Sequence, residues 1–160
     1  PQEFSFYPNF TVYEILDYFA VLSNKKLSKN EILSKLEEVR LQELSKVKAK
    51  ALSGGMKRRL GIAVAMVGEP EVLIVDEPTA GLDPEERIKI RNMFSEIGKD
   101  KTVLLSTHIV EDIALICNTL VVLNKGKVVY DGTVANMLEQ AKEQPSPTLE
   151  DAYMKLIREV

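Results

Sequence analysis

The amino-acid sequence predicts an α/β fold with a parallel sheet, preceded by an all-helical unit at the N-terminal end. Residues before position 70 carry helix-start signals and helical periodicity. Val72–Val75 and Thr102–Leu105 are short apolar runs typical of buried strands, and we expect the first to be covered on both faces. A helical pattern lies between the two runs, and a strand–helix–strand unit closes as a right-handed parallel pair.

Two capping boxes start the helical unit. Thr11 with Glu14 and Ser28 with Glu31 have the required spacing, and the segment SNKKLSK separates the two helices. Apolar residues follow each box at helical intervals. These are Val12, Leu16, Phe19 and Leu22 in the first helix, and Ile32, Leu36 and Val39 in the second.

The stretch LSGGM starts a third helix that has the features of an anion site. Ser53 is a suitable N-cap, and Gly54 and Gly55 leave the backbone N–H groups uncovered at the positive end of the helix dipole. A Ser-Gly-Gly cap taken alone is more often only a cap. We expect an apolar stripe of Met56, Leu60, Val64 and Val67 behind this end, and added positive charge from Lys57, Arg58 and Arg59.

Two adjacent acids leave the first strand and lead into the turn-rich run PTAGLDP. Asp76 and Glu77 need a cation or hydrogen-bond donors if they are taken out of water. Ligands bind at the carboxyl ends of strands in open α/β sheets, so a magnesium ion with phosphates is the simplest expectation. The alternative is an ordinary acidic turn.

Asp83 as N-cap and Pro84 at the first position start the helix between the strands, with Glu85 and Lys89 one turn apart and Gly98 at its end. The second strand runs into His108, the one histidine of the chain, which we expect beside the two acids at the same sheet edge.

The last third of the chain predicts a hairpin and two helices. Leu120–Leu123 and Val128–Tyr130 are strand-like and are joined by NKGK. Thr133 and Thr148 are N-caps for two helices separated by the loop EQPSP.

Composition narrows the function classes. A net charge of -3 argues against a nucleic-acid binder that acts through bulk charge. The single cysteine, Cys117, excludes an intrachain disulfide and favours the cytosol, where we expect it to be a small buried apolar residue. No apolar run approaches the ~20 residues of a membrane span. Because the chain begins with Pro1, we expect a segment of a longer protein.

In this order and spacing, the motifs resemble the nucleotide-binding domain of ATP-binding cassette (ABC) transporters, from one end of the chain to the other. Gln2 in PQEF resembles the Q-loop glutamine, LSGGM the signature motif, VLIVDEP the Walker B strand, AGLDP the D-loop and STH the H-loop. The stretches MKRRLGIA and TLEDAYMKL resemble the drug-export-like branch that pairs with type-2 permeases.

The resemblance implies a truncated P-loop NTPase (RecA-like) parallel sheet with an all-helical ABC subdomain, divided at 1–68, 69–132 and 133–160. It also implies roles for single residues. Asp76 and Gln2 would hold Mg²⁺, Glu77 would be the general base, His108 would contact the γ-phosphate of ATP, Ser53, Gly54 and Gly55 would bind a nucleotide held by a second copy, and Asp83 would lie near the shared interface.

The function implied is an ATP-hydrolysing subunit of an exporter, at the cytoplasmic face of the cell membrane. Its partners would be a second nucleotide-binding domain and a transmembrane permease, with no nucleic acid. Alternatives are a soluble ABC protein that acts on DNA or ribosomes, and a non-catalytic interaction module.

Two departures from the family pattern bear on activity. Met56 stands where the signature usually has glutamine, and the backbone donors do not depend on it. The loop G-x-x-x-x-G-K-[ST] is absent, because Gly98-Lys99 and Gly126-Lys127 lack both the first glycine and the final hydroxyl residue. We therefore expect this chain alone to bind ATP and Mg²⁺ weakly or not at all. We also expect the bare edge of Thr102–Leu105 to recruit other strands.

Overall fold

The computed structural model describes residues 5–139 and 148–158, which form seven α-helices and four β-strands in two compact units, Pro1–Ser106 and Thr107–Val160. The first unit contains α1 (Val12–Leu22), α2 (Lys29–Glu38), α3 (Gly54–Met66), β1 (Val72–Asp76), α4 (Pro84–Ile97) and β2 (Thr102–Ser106). The second contains α5 (Val110–Ile116), β3 (Thr119–Asn124), β4 (Lys127–Thr133), α6 (Val134–Glu139) and α7 (Leu149–Arg158).

Both predicted capping boxes are present at the starts of α1 and α2. The Thr11 and Ser28 hydroxyls each accept the N–H three residues on, and Glu14 and Glu31 accept the N–H of their caps in return. The predicted apolar residues behind them are buried, with two exceptions in α1: Phe19 is half-buried, and Leu22, the last residue of the helix, is 59 % exposed. Helical periodicity therefore predicted where the helices lie, but it extended the buried face of α1 too far toward its C-terminal end.

The strands β1 and β2 pair in parallel, as predicted, from Val72 opposite Thr102 to Asp76 opposite Ser106. The expected burial on both faces is wrong. Leu73 is 4 % exposed, whereas Ile74 on the opposite face is 72 % exposed and its neighbour Leu104 is 60 % exposed. Residues that the structure describes cover one face of this pair, so the apolar side chains of the other face remain in water.

The second unit has its own core of Val122, Met137, Leu149 and Ala152. The predicted hairpin is present, and its turn uses positive φ angles at Lys125 and Gly126, which suits a tight two-residue connection. Thr133 and Thr148 cap α6 and α7 as predicted. The predicted loop EQPSP lies outside the described residues.

Cys117 is half-buried at the end of α5, and burial raises the pKa of its thiol. Across residues 5–139 and 148–158, every helix is shorter or more polar than a membrane-spanning helix requires.

Candidate functional site

Asp76 and Glu77 are at the carboxyl end of β1, where the chain turns sharply. Asp76 is the last residue of the strand and is exposed. Glu77 has a φ of 46°, in the left-handed region that few non-glycine residues adopt. Its N–H still donates to the Ser106 carbonyl at 2.9 Å, so the turn begins from the end of the sheet ladder. Both carboxylates therefore lie at the end of β1, and the backbone at Glu77 no longer has the conformation of a regular strand.

Ser106 is a site residue that sequence reasoning missed. It is the last residue of β2, directly opposite Asp76, and its hydroxyl donates a hydrogen bond to Asp76 Oδ1. The bond fixes the direction of that carboxylate. The available signal was the parallel register itself, which would have paired the first residue after each apolar run.

The Asp76 carboxylate fits a magnesium ligand of the kind that Mg²⁺ uses beside phosphates. Mg²⁺ takes one or two carboxylates together with waters and phosphate oxygens. One accepted hydrogen bond leaves lone pairs available on a carboxylate. Within the described residues, no group of three or more His, Cys, Asp and Glu side chains could hold a metal ion by itself.

The loop between β1 and α4 is fixed by a buried threonine, by a hydrogen bond to α3 and by the N-cap of α4. Thr79 is fully buried, Gly81 has a φ of 71°, and the Ala80 carbonyl accepts from Arg58 Nη2 at 3.4 Å. Asp83 ends the loop as the N-cap of α4, and its Oδ1 accepts the Glu86 N–H at 2.9 Å. The predicted cap is confirmed, and the Asp83 carboxylate that we expected near an interface is exposed and also serves as the cap.

The N-terminal end of α3, the signature helix, has the predicted geometry. Ser53 is the N-cap, and its hydroxyl accepts the Met56 N–H at 3.2 Å. Ser53 and Gly54 are exposed, and a Cβ atom on Gly54 would meet nothing within 4 Å. This end of a 13-residue helix is therefore open to an anion. Gly55, by contrast, is buried.

Arg58 and Arg59 do not have the predicted role of adding positive charge at this end of α3. Arg58 and Arg59 are 8 % and 5 % exposed, so they do not add charge to an open surface. Arg59 Nη1 donates to the Val39 and Arg40 carbonyls at 3.1 and 2.9 Å, and its Nε lies 3.3 Å from Glu86 Oε2. Helical periodicity missed this burial because it counts apolar residues only. The predicted stripe is correspondingly weaker, with Met56 and Val64 half-buried.

Two predicted site residues are not brought to the carboxylates by these observations. Gln2 lies outside the described residues. His108 belongs to the second unit, is exposed, and follows Ser106 by two positions in the chain. Its place beside Asp76 and Glu77 stays a prediction.

Comparison with known proteins adds family evidence to this geometry. The model of the ABC transporter family matches residues 1–80. The chain is 35 % identical over 142 residues to the uncharacterized ABC transporter ATP-binding protein YxlF of Bacillus subtilis, covering 88 % of this chain and 48 % of that protein. It is 37 % identical over 142 residues to the Nod factor export ATP-binding protein I of Burkholderia lata, covering 87 % and 47 %.

A solved structure described as the ATP-binding subunit of an ABC transporter is similar in fold. The TM-score is 0.76 at 29 % identity, over 98 % of this chain and 66 % of the other. The chain spans about half the length of the two curated relatives named above. The ordered motifs, the paired strand ends and the family match together show that this chain belongs to the ABC transporter family and carries part of the sequence of an ATP-binding domain.

Proposed function

We propose that this chain is part of an ATP-hydrolysing subunit that drives export through a membrane permease. The observation that carries the proposal is the parallel pairing of β1 with β2, which places Asp76, Glu77 and Ser106 at one strand end. The carboxyl ends of parallel strands are the place where open α/β sheets bind ligands. The export assignment has support from a relative that is named as an export ATP-binding protein.

Phosphoryl transfer to water needs an oriented nucleophile and stabilisation of spread negative charge. Glu77 would accept the proton of the attacking water as general base. Asp76, directed by Ser106, would hold a magnesium ion, which supplies charge neutralisation on the phosphate oxygens. His108 would contact the γ-phosphate, and Gln2 would reach the metal.

The signature end would work on a nucleotide held by a second copy of the domain. Ser53, Gly54 and Gly55 offer backbone donors and a helix dipole, which suit a phosphate group. Asp83 would lie near the shared interface. The working unit is then a dimer with ATP between the two domains.

The permease would dock on the helical unit, at the cytoplasmic face of the membrane. Support comes from three exposed rings that contact one another near the start of this unit. Tyr7, Phe10 and Tyr18 are 53 %, 38 % and 38 % exposed, and Tyr7 lies 5.1 Å from Phe10 and 5.7 Å from Tyr18 between ring centroids. Clustered apolar groups at a surface mark interaction sites.

In the full-length protein that the gene encodes, we expect Glu77→Gln to slow ATP hydrolysis strongly and to leave ATP binding intact. The amide keeps the shape of the carboxylate and cannot accept the proton, so kcat should fall about 10²-fold or more. The measurement is steady-state phosphate release together with equilibrium ATP binding. The matched control is Glu71→Gln, an exposed acid just before β1, which should leave kcat unchanged.

A Glu77→Gln protein with unchanged kcat would contradict the assignment of the base.

The ATP affinity of the 160-residue chain is measured in the same binding experiment. Because it has no G-x-x-x-x-G-K-[ST] loop, we propose that it binds ATP weakly or not at all, and micromolar affinity competed by ADP would contradict that.

A further inference from the structure

Glu86 is an acid that the proposed mechanism does not use, and it is held between two cations. Its side chain, in the first turn of α4, is 14 % exposed. Oε2 lies 3.3 Å from Arg59 Nε, and Oε1 lies 2.9 Å from Lys89 Nζ. The hydrogen bonds that Lys89 donates to the Glu85 and Glu86 carboxylates raise its pKa. The carboxylate is therefore almost fully desolvated and charge-balanced.

Gly55 lies directly against this carboxylate. A Cβ atom built on Gly55 would lie 2.5 Å from Glu86 Oε2 and 2.8 Å from its Cγ. Real Cβ contacts essentially never come so close, so any side chain at position 55 would have to displace Glu86. The adjacent Gly54 has open space at the same position.

Displacing Glu86 would disturb more than one pair. Arg59, whose Nε faces Glu86, also donates to the Val39 and Arg40 carbonyls where α2 ends. The Arg59–Glu86 contact is a charge pair without the alignment of a hydrogen bond, so it depends on the carboxylate staying close. Through Arg59, the C-terminal end of α2 and the N-terminal ends of α3 and α4 are in contact around one buried ion pair.

We infer that Gly55 and Glu86 are positioning residues: the glycine leaves room for the Glu86 carboxylate, which with Arg59 holds the N-terminal end of α3 against α4. This inference rests on the proposed function, because it gives the signature end its role in hydrolysis. It assigns the missing side chain of Gly55 to helix packing rather than to access for a nucleotide. The carboxylate also lies at the helix end that favours an anion, while Arg59 and Lys89 balance its charge.

A double-mutant cycle on the 160-residue chain tests the pair by thermal unfolding. We expect Gly55→Ala and Glu86→Ala each to lower Tm by about 5 °C, because the first displaces and the second removes the carboxylate that pairs with buried Arg59. The double variant should lose no more than the larger single loss, since the clash is gone. Gly54→Ala is the matched stability control and should leave Tm equal or slightly higher. Additive losses, or an unchanged Tm for Gly55→Ala, would overturn the pair.

Steady-state ATP hydrolysis by the complete protein tests the positioning role. We expect Gly55→Ala and Glu86→Ala each to lower kcat by about tenfold to a hundredfold, with KM for ATP changed by no more than about twofold. Gly55→Ala added to Glu86→Ala should lower kcat no further. A further tenfold fall would mean that a side chain at position 55 obstructs the nucleotide itself rather than acting through Glu86, and would overturn the inference. If the wild-type protein hydrolyses no ATP, the proposed function fails, while the unfolding cycle still decides the pair.

Discussion

At the scale of single residues, Asp83 has one observed role and one proposed role. Its carboxylate accepts the Glu86 N–H and caps α4, and it is also exposed on the loop that we propose to lie at a dimer interface. An N-cap needs only a side-chain oxygen, whereas an interface role that depends on charge needs the carboxylate. The two roles can therefore be separated by substitution.

We expect Asp83→Ala to destabilise the protein by about 1 kcal/mol, through loss of the cap. Asp83→Ser keeps an oxygen at the cap and should be close to wild type in stability. Urea unfolding measures both variants. If Asp83→Ser unfolds like wild type and hydrolyses ATP more slowly, the proposed interface role is supported. Wild-type hydrolysis by Asp83→Ser would contradict it, and equal destabilisation by both variants would contradict the capping argument.

Some site residues were predictable and others were not, for a physical reason. Asp76 and Glu77 stand out in the sequence because charged groups directly after an apolar strand need partners. Ser106 and Glu86 do not stand out. Their roles depend on neighbours about 30 positions away, such as Asp76 for Ser106. Short-range patterns contain no information about such contacts.

At the scale of elements, the two capping boxes of the helical unit connect its stability to pH. Hydrogen bonds from the Thr11 N–H and hydroxyl lower the pKa of Glu14 below its ordinary value of 4.5. The Ser28 hydroxyl and N–H do the same for Glu31. A carboxylate with a lowered folded-state pKa stabilises the fold above its unfolded pKa, and this stabilisation is lost as pH falls through the folded pKa.

We expect the stability of the first unit to fall with acidification below about pH 4.5, in part through these two carboxylates. Glu14→Gln/Glu31→Gln should be less stable than wild type at neutral pH, and the difference should shrink in acid. The urea midpoint at several pH values measures this. Glu37→Gln, an exposed acid outside both boxes, is the control. A difference that stays constant with pH would contradict the linkage.

Sequence patterns predicted some elements more completely than others. Residues within one turn of each other define a cap or a hairpin turn, so α1, α2, α4 and the β3–β4 hairpin were predicted. The buried side of α3 was predicted only in part, because Arg58 and Arg59 are buried through hydrogen bonds that apolar patterning does not represent.

At the scale of the whole molecule, both sheets expose apolar side chains to solvent. In the first unit, the β1–β2 pair exposes Val72, Ile74 and Leu104. In the second unit, the hairpin exposes Val121, Leu123 and Val128, each more than half. The strand β2 has the sequence TVLLS, without a charge or a proline to discourage pairing. Surfaces of this kind recruit other strands or apolar partners.

We expect the isolated 160-residue chain to self-associate through the β1–β2 pair. Sedimentation at micromolar concentration and above should show dimers or larger species. Ile74→Lys and Leu104→Lys should shift the distribution toward monomer, because each places a charge on the exposed sheet face. The matched control is Ile88→Lys, an exposed position on α4 that should change nothing. A monomeric wild-type chain would contradict the prediction.

The amino-acid sequence by itself determined the order of the helices and strands apart from α5, which it did not predict, together with the caps and the placement of Asp76 and Glu77 after a strand. Each of these depends on neighbours within a few positions. Only the tertiary structure decided that Ser106 directs Asp76, that Gly55 makes room for Glu86, and that one face of β1 is open. These features depend on which distant segments pack together, and burial is set by what covers a surface rather than by its composition.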